Sequence, residues 1–147
     1  MTADIDTELA AAQEALVRAM TAGGPLPPGF DEGGVRAAAH AILRKRAGEV
    51  ARVWPALAAS YGQDWTGTFV RWAAGRPTNG SLRDGWDFAR AHKDDLDRGA
   101  ALELALMETR FTYDAASAPR PRRMAIRRIP GSVAFQLNGQ TRVIGRP

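Results

Sequence analysis

Two histidines and no cysteine set a low ceiling on the chemistry open to this 147-residue chain. His40 sits in AAAHAILRKR, with neither a carboxylate nor a second histidine one helical turn away. His92 is followed by Asp94 and Asp95, and a cation near a helix end simply complements the helix dipole. A zinc or iron site needs three or more converging ligands, and without cysteine no thiolate can be one of them. Glu103 and Glu108 miss the i, i+3 spacing of a metal-binding carboxylate pair, and Ser60, Ser81 and Ser117 have no base close in sequence. No phosphate-cradling glycine loop or nucleophile elbow is present. These residues predict no metal, no cofactor and no catalytic activity.

Binding chemistry is better represented. All 16 acids precede residue 115, whereas the seven arginines from Arg120 onward meet no acid at all. The final 28 residues therefore carry +7 against a net charge of +4 for the whole chain. Such an end is either a solvated tail or a surface for an acidic peptide, an acidic protein face or a phosphate backbone. Arg122, Arg123, Arg127, Arg128 and Arg142 are its candidate peptide or phosphate contacts.

Upstream, Arg44, Lys45 and Arg46 are consecutive, so on a helix they spread over about 200° and cannot form one stripe. Arg46 falls on the apolar stripe. It either pairs with an acid such as Glu49 or faces a partner groove. A helix-turn-helix reading fails because Gly48 is succeeded by Glu49 and then mostly by apolar residues, a poor base-reading surface.

In NGSLRDGWDFARAH, Ser81 and Asp84 have the spacing of a capping box that opens a helix. Gly85 within that helix costs about 1 kcal/mol against alanine, which close approach of another backbone would offset. Trp86 and Phe88 diverge around the helix, so at least one of them is hard to bury in the same core: either the segment only packs, or the leftover aromatic marks a contact surface. With Arg83, Asp87 and Arg90, and with Arg44 and Arg46, they are the candidate partner-binding residues.

The elements that must position these residues are mostly helical. Ile5, Leu9, Ala12, Leu16 and Met20 form an amphipathic stripe that Gly23, Gly24 and Pro25 stop. Asp31 caps a second helix, which runs through Val50 to Val53 and is interrupted by Pro55. PALAASYG is a short third helix, and DWTGTFVRWAAG, capped by Asp64, is a fourth. The fifth begins at the SLRDGW segment. A sixth opens at Asp95 or Asp97, carries Leu102, Leu106, Thr109, Phe111 and Tyr113, and ends before Pro119.

The pattern then changes to short β-prone runs, MAIRRI, VAFQL and QTRVIG, with Asn138-Gly139 a strong hairpin signal between the last two. Val133, Phe135 and Leu137 alternate onto one face. The expected fold class is mainly α within α+β: a bundle of about six helices over residues 1–119, then a basic three-stranded antiparallel meander over 120–147. Three strands alone are marginal, so the meander must pack on the helices or on a partner. The acidic amphipathic start is unlike a signal peptide and no apolar run approaches a membrane span, so a cytoplasmic, membrane-free protein is expected.

The order AAQEALVRAM, GGPLPPGF, ILRKRAGEVARVWPALAASYGQDW, FVRWAAGRP, GSLRDGWDFAR and LMETRFTYD resembles an actinobacterial helical domain. That domain is appended to multinuclear non-haem iron oxidative enzymes, TIM barrels that modify ribosomally made (RiPP) peptides. It is also similar, remotely, to the helical half of methanobactin- and bufferin-type maturation partners, formerly labelled a putative DNA-binding domain. The resemblance covers about residues 9 to 115. It implies a non-catalytic accessory role, with an iron-dependent TIM-barrel oxidative enzyme and a precursor peptide as partners. The alternative is a nucleic-acid-binding module that uses the basic end.

Overall fold

A computed structural model describes residues 2–129 and 131–145; Pro130 of the first expected turn and Arg146 of the basic end lie outside them. Six α-helices come first: α1 Thr2–Ala22, α2 Glu32–Val53, α3 Pro55–Tyr61, α4 Trp65–Ala73, α5 Ser81–Ala91 and α6 Arg98–Arg110. A two-residue strand pair follows, β1 Phe111–Thr112 with β2 Arg120–Pro121, and then the meander β3 Met124–Ile129, β4 Ser132–Leu137 and β5 Gln140–Gly145. The expected class, helical bundle plus three-stranded antiparallel sheet, is the observed one.

Several boundaries follow from local chemistry. The Asp31 side chain accepts the Gly34 N–H at the start of α2, as expected of an N-cap. Pro55 separates α2 from α3, and Pro at the first helical position costs α3 nothing, since that N–H would be unpaired. The α3 amides of Ala56 and Leu57 are met from afar by Glu103 of α6, at 3.3 and 2.8 Å. Asp64 does not cap α4. It lies in a single 3-10 turn, Gly62–Asp64, with no side-chain bond to the helix.

The sixth helix is shorter than its sequence suggests. Asp97 caps it through Ala100, but the helix stops at Arg110. Phe111, Thr112 and Tyr113 are aromatic and β-branched residues that suit extended backbone, and β2 offers the first two of them ladder partners. Asp114 then closes a turn by accepting the amides of Ala116 and Ser117, which hold its carboxyl below the usual range.

The core is aromatic and centres on α5. Trp54, Leu57, Phe69, Trp86 and Phe88 are wholly buried, with Trp65 and Tyr113 nearly so. Phe88 makes edge contacts with Tyr61, Trp65 and Trp72 at 5.2–5.5 Å between centroids. Trp86 instead meets Trp54 on one side and Tyr113 on the other. Gly85 is explained by an indole rather than by another backbone. A Cβ there would overlap the Trp54 ring, whose Nε1 donates to the Leu82 carbonyl at 3.0 Å.

Candidate functional site

All the helical candidates except Arg44 are engaged within the fold. Arg46 is buried on α2, and its Nε donates to Asp84 Oδ2 at 3.1 Å while Nη1 donates to the Arg76 carbonyl at 2.8 Å. Nη2 lies 3.0 Å from the same carboxylate oxygen, near enough for ion pairing but out of line for a hydrogen bond. The expected partner, Glu49, is instead 3.8 Å from Lys45. Arg46 therefore faces no partner groove, because a guanidinium at this depth stays only where an acid compensates it.

Asp84 is the hub of that arrangement and does not form a capping box with Ser81. The helix N-cap is Gly80, and Asp84 accepts from Thr78 Oγ1 at 2.8 Å and from the Asn79 amide at 3.0 Å. The carboxylate thus fastens the loop before α5 to α2.

Trp86 and Phe88 are both at 0% exposure, so neither is left over for a partner. They do diverge, but α5 has core on two sides: the aromatics of α3 and α4 enclose Phe88, while Trp54 and Tyr113 enclose Trp86. Arg90 is spent as well: Nε donates to Glu108 at 2.9 Å, Nη1 to the Tyr113 carbonyl at 2.9 Å, and its guanidinium lies over the Trp86 and Tyr113 rings. Asp87 accepts the Tyr113 hydroxyl at 3.0 Å. Burial raises the Asp87 pKa, against the lowering effect of that bond and of Arg90. Burial, then the bond and charge of Asp87, push Tyr113 up to about 12. Arg83 donates to the Asn79 carbonyl, and only Arg44 is simply exposed.

A cleft of about 380 Å³ lies beside Trp72, Arg76, Asn79, Asp84 and Asp87. Its two acids already hold the donors just described. His92 donates through Nδ1–H to the Phe88 carbonyl, 2.8 Å away, and stacks on the Phe88 ring, while His40 is exposed on α2. Among the described residues no group of three or more His, Asp or Glu is placed to hold a metal ion.

The meander presents a different picture. Residues opposite one another in a ladder share a face. The register therefore sorts the sheet into two surfaces. One packs on α6: Ala134 and Gln136 are buried, Arg127 reaches Glu108 at 3.8 Å, and Thr141 Oγ1 accepts from Arg110 at 3.3 Å. Gln136 also donates to the Arg122 carbonyl at 2.8 Å, and Arg122 Nε donates to the Phe111 carbonyl at 3.0 Å. Arg122 and Arg127 thus fasten the sheet to the helices.

The other surface is a grid of three rows: Met124, Leu137 and Gln140; Ile126, Phe135 and Arg142; Arg128, Val133 and Ile144. Six of these nine side chains are apolar, yet the face points to solvent. Met124 is 72% exposed, Ile126 77% and Ile144 65%. Arg128 and Arg142 lie within this face, Arg123 is exposed just before β3, and none of the three pairs with an acid among the described residues. Of the five basic candidates, the structure gathers Arg128 and Arg142 on one surface with Arg123 near its edge.

Met124, Ile126 and Ile144 are members of this surface that the sequence pattern did not single out. The signal was present. The alternate positions Ala125, Ala134, Gln136 and Thr141 are small or hydrogen-bonding, as a face closely applied to a charged helix requires. A second uncovered apolar stripe lies on α1, where Ile5 and Leu9 are 59% and 55% exposed. Among the described residues no helix is long and apolar enough to cross a membrane.

Similarity to known proteins is confined to part of the chain. A UPF0276 protein of Streptomyces avermitilis is 43% identical over 82 residues, which make up 55% of this chain but only 17% of that relative. No solved structure matches. The family model for the SCO6045-like C-terminal domain matches residues 10–94, from within α1 to just beyond α5. With more than half of its residues inside that match, the chain belongs to the SCO6045-like C-terminal domain family.

Proposed function

We propose that the chain is a non-catalytic accessory protein of a multinuclear iron-dependent TIM-barrel oxidative enzyme, working in the cytoplasm and helping to present a ribosomally made precursor peptide. The observation that carries this reading is the uncovered sheet face, in which six apolar side chains are interspersed with Arg128 and Arg142. Such a face offers apolar burial plus guanidinium contacts to carboxylates, the chemistry of an acidic, apolar peptide segment. Burying one Ile, Leu or Phe there would contribute about 1.5–3 kcal/mol. The two acids of the cleft beside Trp72 are already engaged by Arg46, Thr78 and Tyr113, which supports a binding role over a catalytic one. A homologous segment forming 17% of a longer protein also fits a unit that works beside other domains.

Co-expression with such an enzyme and its precursor, followed by affinity purification, tests the reading. A ternary complex is expected, lost in an Ile126→Asp/Arg142→Glu variant that keeps its helical circular dichroism. If no complex forms with or without peptide, while duplex DNA binds with a steep salt dependence, the chain is instead a nucleic-acid-binding module.

A further inference from the structure

The molecule carries two uncovered apolar surfaces of opposite charge. The first is the grid on β3–β5, with Arg128 and Arg142 inside it and Arg123 nearby. The second is the N-terminal half of α1. Its residues 4 to 11 are all exposed, whereas Leu16, Ala19 and Met20 further along are partly covered where the helix meets α2. At about 100° per residue, Ile5 and Leu9 continue the stripe of Leu16 and Met20, with Asp4 and Glu8 along one side and Asp6 along the other. No basic residue occurs before Arg18. An amphipathic acidic helix is therefore held out beyond the body of its own domain.

Dimensions match as well as charge. The exposed part of α1, residues 4 to 11, runs about 12 Å at 1.5 Å per residue, and about 17 Å with the turn after it. A six-residue strand is about 20 Å long, so the helix fits within it, and three strands span about 10 Å, the width of one helix. We propose that the sheet face receives α1 of a second copy of this chain, with Ile5 and Leu9 set among Ile126, Phe135 and Leu137. Asp4, Asp6 and Glu8 then lie within reach of Arg128 and Arg142. Within one chain α1 packs on α2 and the sheet packs on α6, so the complementary surface is reached on another molecule. Reciprocal exchange closes the assembly as a twofold dimer with two such contacts. The inference rests on the reading of the sheet face as a docking surface and adds its regulation: a second copy's α1 holds the site until an acidic peptide displaces it.

Sedimentation of the full chain across a concentration series tests this. The wild type is expected to dimerise, and Ile5→Asp/Leu9→Asp or Ile126→Asp/Arg142→Glu alone to abolish the dimer. All the substituted side chains except Leu9 and Ile5 lie on the sheet, and all are exposed, so unchanged circular dichroism verifies the fold of each variant. Mixing the two variants restores one intact helix–sheet contact and so regenerates a weaker heterodimer. A chain monomeric at every concentration, a dimer indifferent to either pair of substitutions, or a mixture that stays monomeric each overturns the proposal. Co-purification of the Ile5→Asp/Leu9→Asp variant with enzyme and peptide separates the two readings. Loss of the dimer in this variant with retained co-purification leaves the accessory role intact, and a wild-type dimer that fails to co-purify removes that role alone.

Discussion

In α5, Trp86 and Phe88 point to different sides of one helix and both vanish into the core. In β4, Val133, Phe135 and Leu137 point the same way, and Val133 and Leu137 stay exposed while Phe135 is only half-buried. A helix with aromatic residues on divergent faces is not thereby an interaction helix; it can be an element with core on both sides. A strand whose apolar residues alternate has one apolar face, but alternation alone does not say that this face meets the rest of the chain. The neighbour decides. Here α6 presents Glu108 and Arg110 to the sheet, and the face that carries Arg127, Gln136 and Thr141 satisfies them.

That contrast can be broken most forcefully at Phe88. Truncating it to alanine opens a void among Tyr61, Trp65, Phe69 and Trp72, and is expected to cost about 3–5 kcal/mol in urea unfolding. A loss below about 1 kcal/mol would mean that the α5 aromatics are not core at all. Arg46→Ala follows closely, at about 3–5 kcal/mol, because Asp84 is left buried without its cation. Replacing both residues by apolar ones of similar volume should recover much of that loss, which a double-mutant cycle reads directly.

Tyr113 gives a pH test of the same body. Its folded pKa of about 12 exceeds the unfolded value near 10, so the neutral phenol is favoured in the folded state. The stabilisation is complete below pH 10 and declines as pH rises from 10 through about 12. Tyr61 is raised too, chiefly by burial, so Tyr113→Phe should flatten only part of the alkaline slope. An identical slope in that variant would break the assignment. The smallest effect is expected in the meander: at dilutions where the chain is monomeric, Ile126→Ser, at a side chain 77% exposed, should alter stability by no more than about 0.5 kcal/mol. A cost near that of Phe88→Ala would show that the grid is already covered within the chain.

Much of the architecture could be read in the residues themselves. Asp31, Pro55 and Asp97 marked helix boundaries through their own backbone chemistry, and Asn138 and Gly139, with φ of 49° and 84°, make the two-residue turn their types suggested. What escaped was long-range. Arg46 finds its acid 38 residues away, on a helix whose packing no local pattern specifies. The end of α6 depended on β2, which gives Phe111 and Thr112 an alternative to helical hydrogen bonds. Gly85 pointed correctly to a close neighbour but could not say that it would be a tryptophan ring. The basic end was visible as charge, but its division into fastening arginines and free ones was set by the strand register.

The charges of the meander are also distributed unevenly between its strands. β4, in the middle, has none, while β3 carries Arg127 and Arg128 and β5 carries Arg142. Both outer strands have backbone groups open to further pairing, the usual route by which a sheet recruits copies of itself into fibrils. Arginines along both borders discourage that growth through mutual repulsion. The sheet can therefore keep an apolar face available without inviting indefinite extension from its margins. Removing these guanidiniums would leave both borders of the sheet open to such growth.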